Sequence, residues 1–357
     1  MLPSLVGLDP DEICTLLDLQ PRFRGLQLFQ WIAKGISSFD EMTNISRGDQ
    51  DAFARKARLY SSSVTETQQD PDGTVKLQIT LADDASVETV LLTDREGRKT
   101  ACVSCQAGCG MACAFCQTGR LGLQRNLSAG EIVEEFLYLE KAAGKLDNIV
   151  FMGMGEPLQN LDAIFKAVSV LTNKKGRALS SRRITLSTCG LIRGIYELAD
   201  REAATGIGIR LAVSLTTADE GLRKSLMPVA QANPLPELKQ AIAYYIGKTG
   251  KRVTLEAALL AGVNTDRESA EALIQFVSGL DAYINLIPWN PVPGLEFKTP
   301  STSECSRFLK MLDDAGLNVS LRTRRGTSIA GACGQLGKIT RTGTEGRHRS
   351  ILEGVTH

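Results

Sequence analysis

Apolar residues through the first sixty positions recur at helical spacing, as at Ile13, Leu16, Leu17 and Leu19, with Asp9, Asp11, Ser37 and Ser38 as candidate caps. This pattern predicts a small helical domain over 1–62. Between 63 and 98 the period shortens to two, in runs at 75–81 and 87–92 with the turn residues Asp70-Pro71-Asp72-Gly73 just before the first, and predicts a β linker segment. From 99 to 340 short apolar runs at 149–154, 183–187, 210–215, 252–257, 284–287 and 319–322 alternate with amphipathic stretches such as 129–142, 161–171 and 235–246. Such βα repetition predicts a parallel sheet closed or partly closed into a barrel, with a polar tail at 341–357. Polar and glycine-rich positions follow several strands, at Gly155-Glu156-Pro157, Thr188-Cys189-Gly190, Thr216-Thr217 and Pro288-Trp289-Asn290. In a barrel these share the face where active sites form.

At 357 residues and 43% hydrophobic content the chain can bury a large core. Its 41 Lys and Arg nearly balance 40 Asp and Glu, so a grip on nucleic acid would come from local basic groups. Those groups stand at Lys174, Lys175, Arg177, Arg182 and Arg183, at Arg322, Arg324 and Arg325, and in the tail at Arg347 and Arg349, where the ordinary alternative is a solvated face. Aromatic residues make up only 5%, too few for a broad base-stacking platform. No apolar run approaches the roughly 18 to 20 residues of a membrane span and no signal-peptide order opens the chain, so a cytoplasmic protein without membrane contact is expected.

Five of the nine cysteines fall between 102 and 116, whereas the only two histidines are His348 and His357. That distribution favours metal or thiol chemistry over a disulfide framework, and removes the usual zinc-hydrolase or Ser-His machinery from the core. Cys109-Gly110-Met111-Ala112-Cys113-Ala114-Phe115-Cys116 sets three thiols on one loop, able to bind three irons of a cubane and leave the fourth open. Cys113 and Cys116 alone would equally suit a zinc half-site or a redox pair, and a zinc site could draw a fourth ligand from Cys102, Cys105 or Cys333. The third cysteine, with Phe115 before the last, shifts the balance to a 4Fe-4S cluster and S-adenosylmethionine (SAM).

Beyond that loop, segments at 102–106, 118–122, 153–157, 184–188, 211–215, 285–291 and 332–336, together with Gln30-Trp31 and 38–43, match in order and spacing. Across almost the whole chain the sequence resembles the RlmN/Cfr family of radical SAM RNA methyltransferases. The resemblance implies an α/β fold, a partial (β/α)6 radical SAM barrel with a small N-terminal helical domain and a β extension. It implies Cys109, Cys113 and Cys116 as cluster ligands, and Gly155, Glu156, Ser187, Ser214, Leu215, Thr216 and Asn290 along SAM. Singly, a turn or an ordinary satisfied hydroxyl would explain each of these.

The family's chemistry answers a specific difficulty, that the carbon between two adenine ring nitrogens is too electron-poor to attack a methyl group. The resemblance implies that one SAM methylates Cys333 and a second is cleaved to a radical that activates the methylated sulfur, two SAM per turnover. Cys102 is then the resolving thiol through a transient disulfide with Cys333, and Glu88 the proton acceptor. A buried core cysteine and a solvated strand glutamate are the plain alternatives for Cys333 and Glu88. The implied substrate is adenosine carbon 2 in large-subunit ribosomal RNA, with tRNA as a second substrate and an electron donor such as flavodoxin or ferredoxin. A monomer is expected. Carbon-8 methylation, a diverged radical SAM reaction, and an iron–sulfur or zinc RNA-binding protein without turnover are the competing readings. The sequence departs from the family at Thr216, where histidine is usual, at Cys105 and Cys189, where serines are, and at Thr327, Ser328 and Ala330, where acidic residues are common.

Overall fold

A computed structural model describes residues 2–337. The tail, with its two histidines and the basic pair Arg347 and Arg349, lies outside the described residues. The N-terminal helices are α1 (Pro10–Leu17), α2 (Phe23–Ile32) and α3 (Arg47–Lys56). Asp9 caps α1 in a reciprocal box with Glu12, and Ser38 caps the 3-10 turn Phe39–Glu41. Asp11 instead sits within the first turn of α1, and the Ser37 amide donates to the Glu41 carboxylate rather than capping. Ile13, Leu17, Leu28, Phe29, Met42 and Phe53 are buried and join the same apolar cluster as the barrel. Glu134 of the following unit accepts from the amides and hydroxyls of Ser61 and Ser62, so a buried carboxylate fastens the helices to the rest of the fold.

Four antiparallel strands follow, β1 (Ser63–Gln69), β2 (Val75–Thr80), β3 (Ser86–Thr93) and β4 (Lys99–Val103). A small hairpin of β5 (Gln106–Cys109) and β6 (Gly122–Asn126) frames the cysteine loop. The chain then alternates: α4 (Ala129–Ala143), β7 (Asn148–Phe151), α5 (Leu161–Thr172), β8 (Ile184–Thr188), α6 (Ile192–Thr205) and β9 (Arg210–Ser214). It continues through α7 (Glu220–Leu226), α8 (Leu235–Thr249), β10 (Val253–Leu259), α9 (Arg267–Val277), β11 (Ala282–Pro288), α10 (Thr302–Asp314) and β12 (Val319–Leu321).

All strands but β5 and β6 form one sheet, ordered β1-β2-β3-β4-β7-β8-β9-β10-β11-β12. Pairing is parallel from β4 onward, and each of β4 and β7–β11 leads into helix before the next parallel strand, the expected partial (β/α)6 barrel. The β extension is therefore continuous with the barrel sheet, and β12 adds a short edge. β4 and β12 are not paired, which leaves the barrel open on one side. Residues 322–337 cross that opening: an Arg325 guanidinium N–H donates to the Thr93 carbonyl, the Gln117 amide to the Gly334 carbonyl at 2.7 Å, and the Thr118 hydroxyl to the Leu336 carbonyl at 2.7 Å.

Candidate active site

Cys109 ends β5, and the loop after it carries Cys113 and Cys116 back toward β6. The loop is pinned from several elements. The Ala114 amide donates to Leu226 of α7 at 2.8 Å, and the Trp289 indole N–H donates to the Phe115 carbonyl at 2.9 Å. Ala112 takes a left-handed φ of 52°, which turns the chain between the first two thiols. All three cysteines are free, partly buried and line one cavity. Burial pushes the Cys109 thiol up to about 11, and burial with the other two thiols pushes Cys113 up. The Met111 amide directed at Cys109, and the Thr118 and Gly119 amides directed at Cys116, oppose that rise.

Mutual proximity, a shared cavity and amide donors on the sulfurs are what a cubane requires of its ligands. Among the described residues no three His, Cys, Asp or Glu groups gather around a single ion.

Across the same cavity stand Gly155, Glu156, Ser187, Ser214, Thr216 and Asn290, all at or just beyond strand ends. Gly155 has φ 106°, and a Cβ there would meet Gln106 at 2.6 Å, so no other residue fits. Glu156 is buried; one carboxylate oxygen accepts the Leu158 amide at 3.0 Å, the other the Cys189 amide at 2.8 Å. Burial nevertheless pushes its carboxyl up. The Ser187 hydroxyl donates to Glu256 at 2.8 Å and lies 3.4 Å from the Ser214 hydroxyl. The Asn290 side-chain amide donates to the Cys333 carbonyl at 3.2 Å, while its Oδ1 is buried without a partner, an acceptor free for a ligand hydroxyl or ammonium. Thr216 holds φ 62°, unusual for a β-branched residue, anchored by its amide on Glu256 O and its carbonyl under the Asn264 amide. These groups fit SAM in kind. Leu215 does not line the cavity: its side chain is in the core, and its carbonyl accepts from Arg223.

Cys333 lines this cavity and also a second, adjoining one, together with Met152, Ile287, Asn290 and Leu336. Cys102, Arg322, Arg324 and Arg325 line only the second of the two. The structure thus brings the two thiols named from the sequence to one chamber, although they come from β4 and from the segment after β12. Among the described residues all nine cysteines are free, so the transient disulfide expected between Cys102 and Cys333 is not formed in this state. Burial, then the nearby Cys333, pushes the Cys102 thiol up, with Arg322 acting against both. Glu88 lines neither cavity. It is buried on β3, 3.2 Å from Lys76 Nζ, and accepts the Gly337 amide at 2.7 Å.

Sequence reasoning missed two groups. Glu256 is a carboxylate within an apolar parallel strand, a signal in itself, and it lines the SAM-side cavity. Arg223 is fully buried and donates to the carbonyls of Cys189 at 2.8 Å and of Leu215 and Asn233 at 3.3 Å, tying together three loops above the barrel. Nothing in its helical setting distinguishes it from a surface arginine.

The Radical SAM superfamily model matches residues 103–274. The probable dual-specificity RNA methyltransferase RlmN of Treponema denticola is 58% identical over 334 residues, covering 94% of this chain and 95% of that one. Its counterpart in Treponema pallidum is 52% identical over 94% of this chain and 97% of its own. A crystal structure of a radical SAM methyltransferase from Sphaerobacter thermophilus superposes with a TM-score of 0.88 at 38% identity, covering 94% of this chain and 99% of that one. The three-thiol loop, the polar strand ends facing it and this full-length similarity have one reading: the chain belongs to the RlmN family of radical SAM methyltransferases, enzymes that work with a 4Fe-4S cluster and SAM.

Proposed function

We propose that this protein methylates carbon 2 of an adenosine in large-subunit ribosomal RNA, and in tRNA, using Cys333 as the methyl carrier and Cys102 as the resolving thiol. The observation that carries the reading is the position of Cys333 on the lining of both cavities, one shared with the cluster thiols and the other with Cys102. A sulfur so placed can face the cofactor and the substrate base in turn. Cys109, Cys113 and Cys116 hold the cluster, and Glu156, Ser187, Ser214 and Asn290 hold SAM, with Gly155 giving it room and Thr216 contacting it through its backbone. When bound, these groups supply the methyl group and a hydrogen-abstracting radical.

The rest falls to the chain itself. Asn290 holds the Cys333 backbone beside the SAM site through its carbonyl. Met152, Ile287 and Leu336 give both cavities apolar walls that limit water around the sulfur. Cys102, its thiol pushed up by burial, waits on the substrate side for the adduct carried by Cys333 and would release it by attacking that sulfur: the S–S bond forms as the bond from sulfur to the transferred carbon breaks, and that carbon takes up the proton the thiol gives up. Arg322, Arg324 and Arg325 rim the same chamber, where phosphate contacts would set an unstacked base over Cys333. The reading places the enzyme in the cytoplasm with flavodoxin or ferredoxin as its electron donor; among the described residues no helix is long and apolar enough to cross a membrane.

Peptide mass spectrometry on anaerobically reconstituted enzyme with SAM and RNA tests this. A methyl group on Cys333, and RNA trapped covalently by Cys102→Ala but not by Cys333→Ala, are the expected results. SAM cleavage with Cys333 left unmodified would refute the methyl-carrier role. Mass mapping of the product nucleoside separates carbon 2 from carbon 8.

A further inference from the structure

Arg223 lies in the middle of α7 and is fully buried, where a charged side chain without a counter-charge is costly. Its hydrogen bonds all go to neutral acceptors, the carbonyls of Cys189, Leu215 and Asn233. Among the described residues no carboxylate comes within ion-pair distance of it. Glu220, one turn earlier on the same helix, is already engaged by the Leu235 amide at 2.9 Å and by Lys224 at 3.2 Å. Carbonyl dipoles satisfy the guanidinium N–H groups but leave its charge unbalanced. The fold nevertheless makes room for it: Gly190 has φ 98°, and a Cβ there would meet Arg223 Nη2 at 2.9 Å.

The surroundings of this cation lead to the three-thiol end of the SAM-side cavity. Its shortest bond, 2.8 Å, is to the backbone of Cys189, a residue that lines the cavity with Cys109, Cys113 and Cys116. The helix that carries Arg223 also holds the cysteine loop, since the Ala114 amide, next to Cys113, donates to the Leu226 carbonyl at 2.8 Å. Cys189, Leu226, Met227 and Trp289 form one apolar cluster against which Cys113 packs, so the medium between guanidinium and thiol is protein rather than water. Burial works against the Arg223 charge, while Cys189, Glu220 and Cys113 favour it. Arg223 in turn opposes the rise that burial imposes on the Cys113 thiol.

A 4Fe-4S core held by three thiolates is a net anion, and one-electron reduction makes it more negative, so a fixed positive charge nearby favours the reduced form. We propose that Arg223 is the built-in counter-charge of the cluster and raises its reduction potential, easing entry of the electron that SAM cleavage consumes. Arg223 acts through its field, without touching iron or SAM. The proposal rests on Cys109, Cys113 and Cys116 as the cluster ligands and is independent of the role of Cys333.

The test uses anaerobically reconstituted protein without SAM in three forms: wild type, Arg223→Gln and Arg223→Lys. Iron and sulfide are measured, and the cluster is then titrated potentiometrically with its reduced form followed by electron paramagnetic resonance. Two unit charges roughly 12 Å apart at an effective dielectric of about 20 still shift an equilibrium about tenfold. In Arg223→Gln, which keeps a donor but no charge, the ratio of reduced to oxidised cluster at a given potential should therefore fall about tenfold, a midpoint lower by about 59 mV. Arg223→Lys keeps the charge while losing the fork that reaches three carbonyls, and should stay within roughly threefold of wild type. A merely structural role would move both variants alike, because loosened loops admit water to the cluster whichever residue replaces the arginine.

An unmoved or raised midpoint in Arg223→Gln overturns the proposal, and so do equal shifts in the two variants. If Arg223→Gln takes up no cluster while Arg223→Lys loads one at the wild-type midpoint, the charge is what the cluster needs and the proposal stands. If neither variant loads, the three carbonyl bonds rather than the charge are required, and it falls. A wild-type protein that binds no iron or sulfide refutes the ligand assignment together with the proposal, whereas a normal wild-type cluster with an unmoved variant midpoint refutes the proposal alone.

Discussion

Trp289→Phe separates the hydrogen bond that holds the cysteine loop from the packing around it. The indole is buried just after β11 and donates to the Phe115 carbonyl at 2.9 Å, between Cys113 and Cys116, the proposed cluster ligands. Its ring also packs edge-on against Phe297 with centroids 6.0 Å apart. Phenylalanine keeps an aromatic ring in place but removes the donor, leaving the Phe115 carbonyl unsatisfied. An orphaned buried acceptor costs about 1–3 kcal/mol, so the loop should open roughly 5- to 150-fold more often. Opening exposes the cluster to chelator and oxygen.

The assay is iron and sulfide content after anaerobic reconstitution, followed by decay of the cluster's visible absorbance under a chelator. Phe297→Leu serves as the control, since it disturbs the ring packing and leaves the bond. Trp289→Phe should reconstitute and then lose its cluster several-fold faster than wild type and faster than the control. If it decays at the wild-type rate, or no faster than Phe297→Leu, the indole bond does not hold the loop and the argument from geometry is wrong.

Three further outcomes follow from other parts of the molecule. Asp83 is held down at about 2, chiefly by its hydrogen bonds to Arg125, so its stabilisation is present above the ordinary carboxylate range and is lost as pH falls through about 2. Because the pair is at the surface, Asp83→Asn should cost about 1 kcal/mol or less at pH 7, and its melting difference from wild type should close as pH drops from about 4 to about 2; a gap that widens on acidification would contradict this. Arg223→Met strips the donor from three buried carbonyls and should destabilise by about 3–5 kcal/mol in urea unfolding, with an unchanged midpoint counting against the reading. Arg324 is exposed on the rim of the Cys102–Cys333 chamber, so Arg324→Ala should weaken RNA binding across sequences and reduce the salt slope by about 1, whereas an unaltered slope would remove it from the phosphate path.

Much of this protein was legible along the chain wherever spacing acts locally. Three thiols on one loop need no tertiary information to be read as one ligand set, and an alternating βα pattern leaves few ways to bury its strands except a parallel sheet. The strand ends at Gly155, Ser187, Ser214 and Asn290 reach a common face for the same reason. Local rules also explain Asp9 and Ser38 as caps, while Ser37 escaped them because Glu41 claimed its amide instead.

What the tertiary structure decided is how distant pieces meet. Cys102 and Cys333 share a chamber only because β4 and β12 leave the barrel unclosed and residues 322–337 bridge the opening. Neither cysteine's neighbours in sequence encode that crossing. Glu88 could be read as a strand glutamate, yet its environment is set by Lys76 across the register and by Gly337, 249 residues away. Arg223, one more helical arginine in the sequence, becomes a buried knot once three loops turn their carbonyls toward it. The division has a physical cause. Ligand geometry and strand burial depend on contacts within a loop or a repeat, which spacing specifies. The burial and pairing of a single charge or thiol depend instead on chain segments that only the folded sheet brings together.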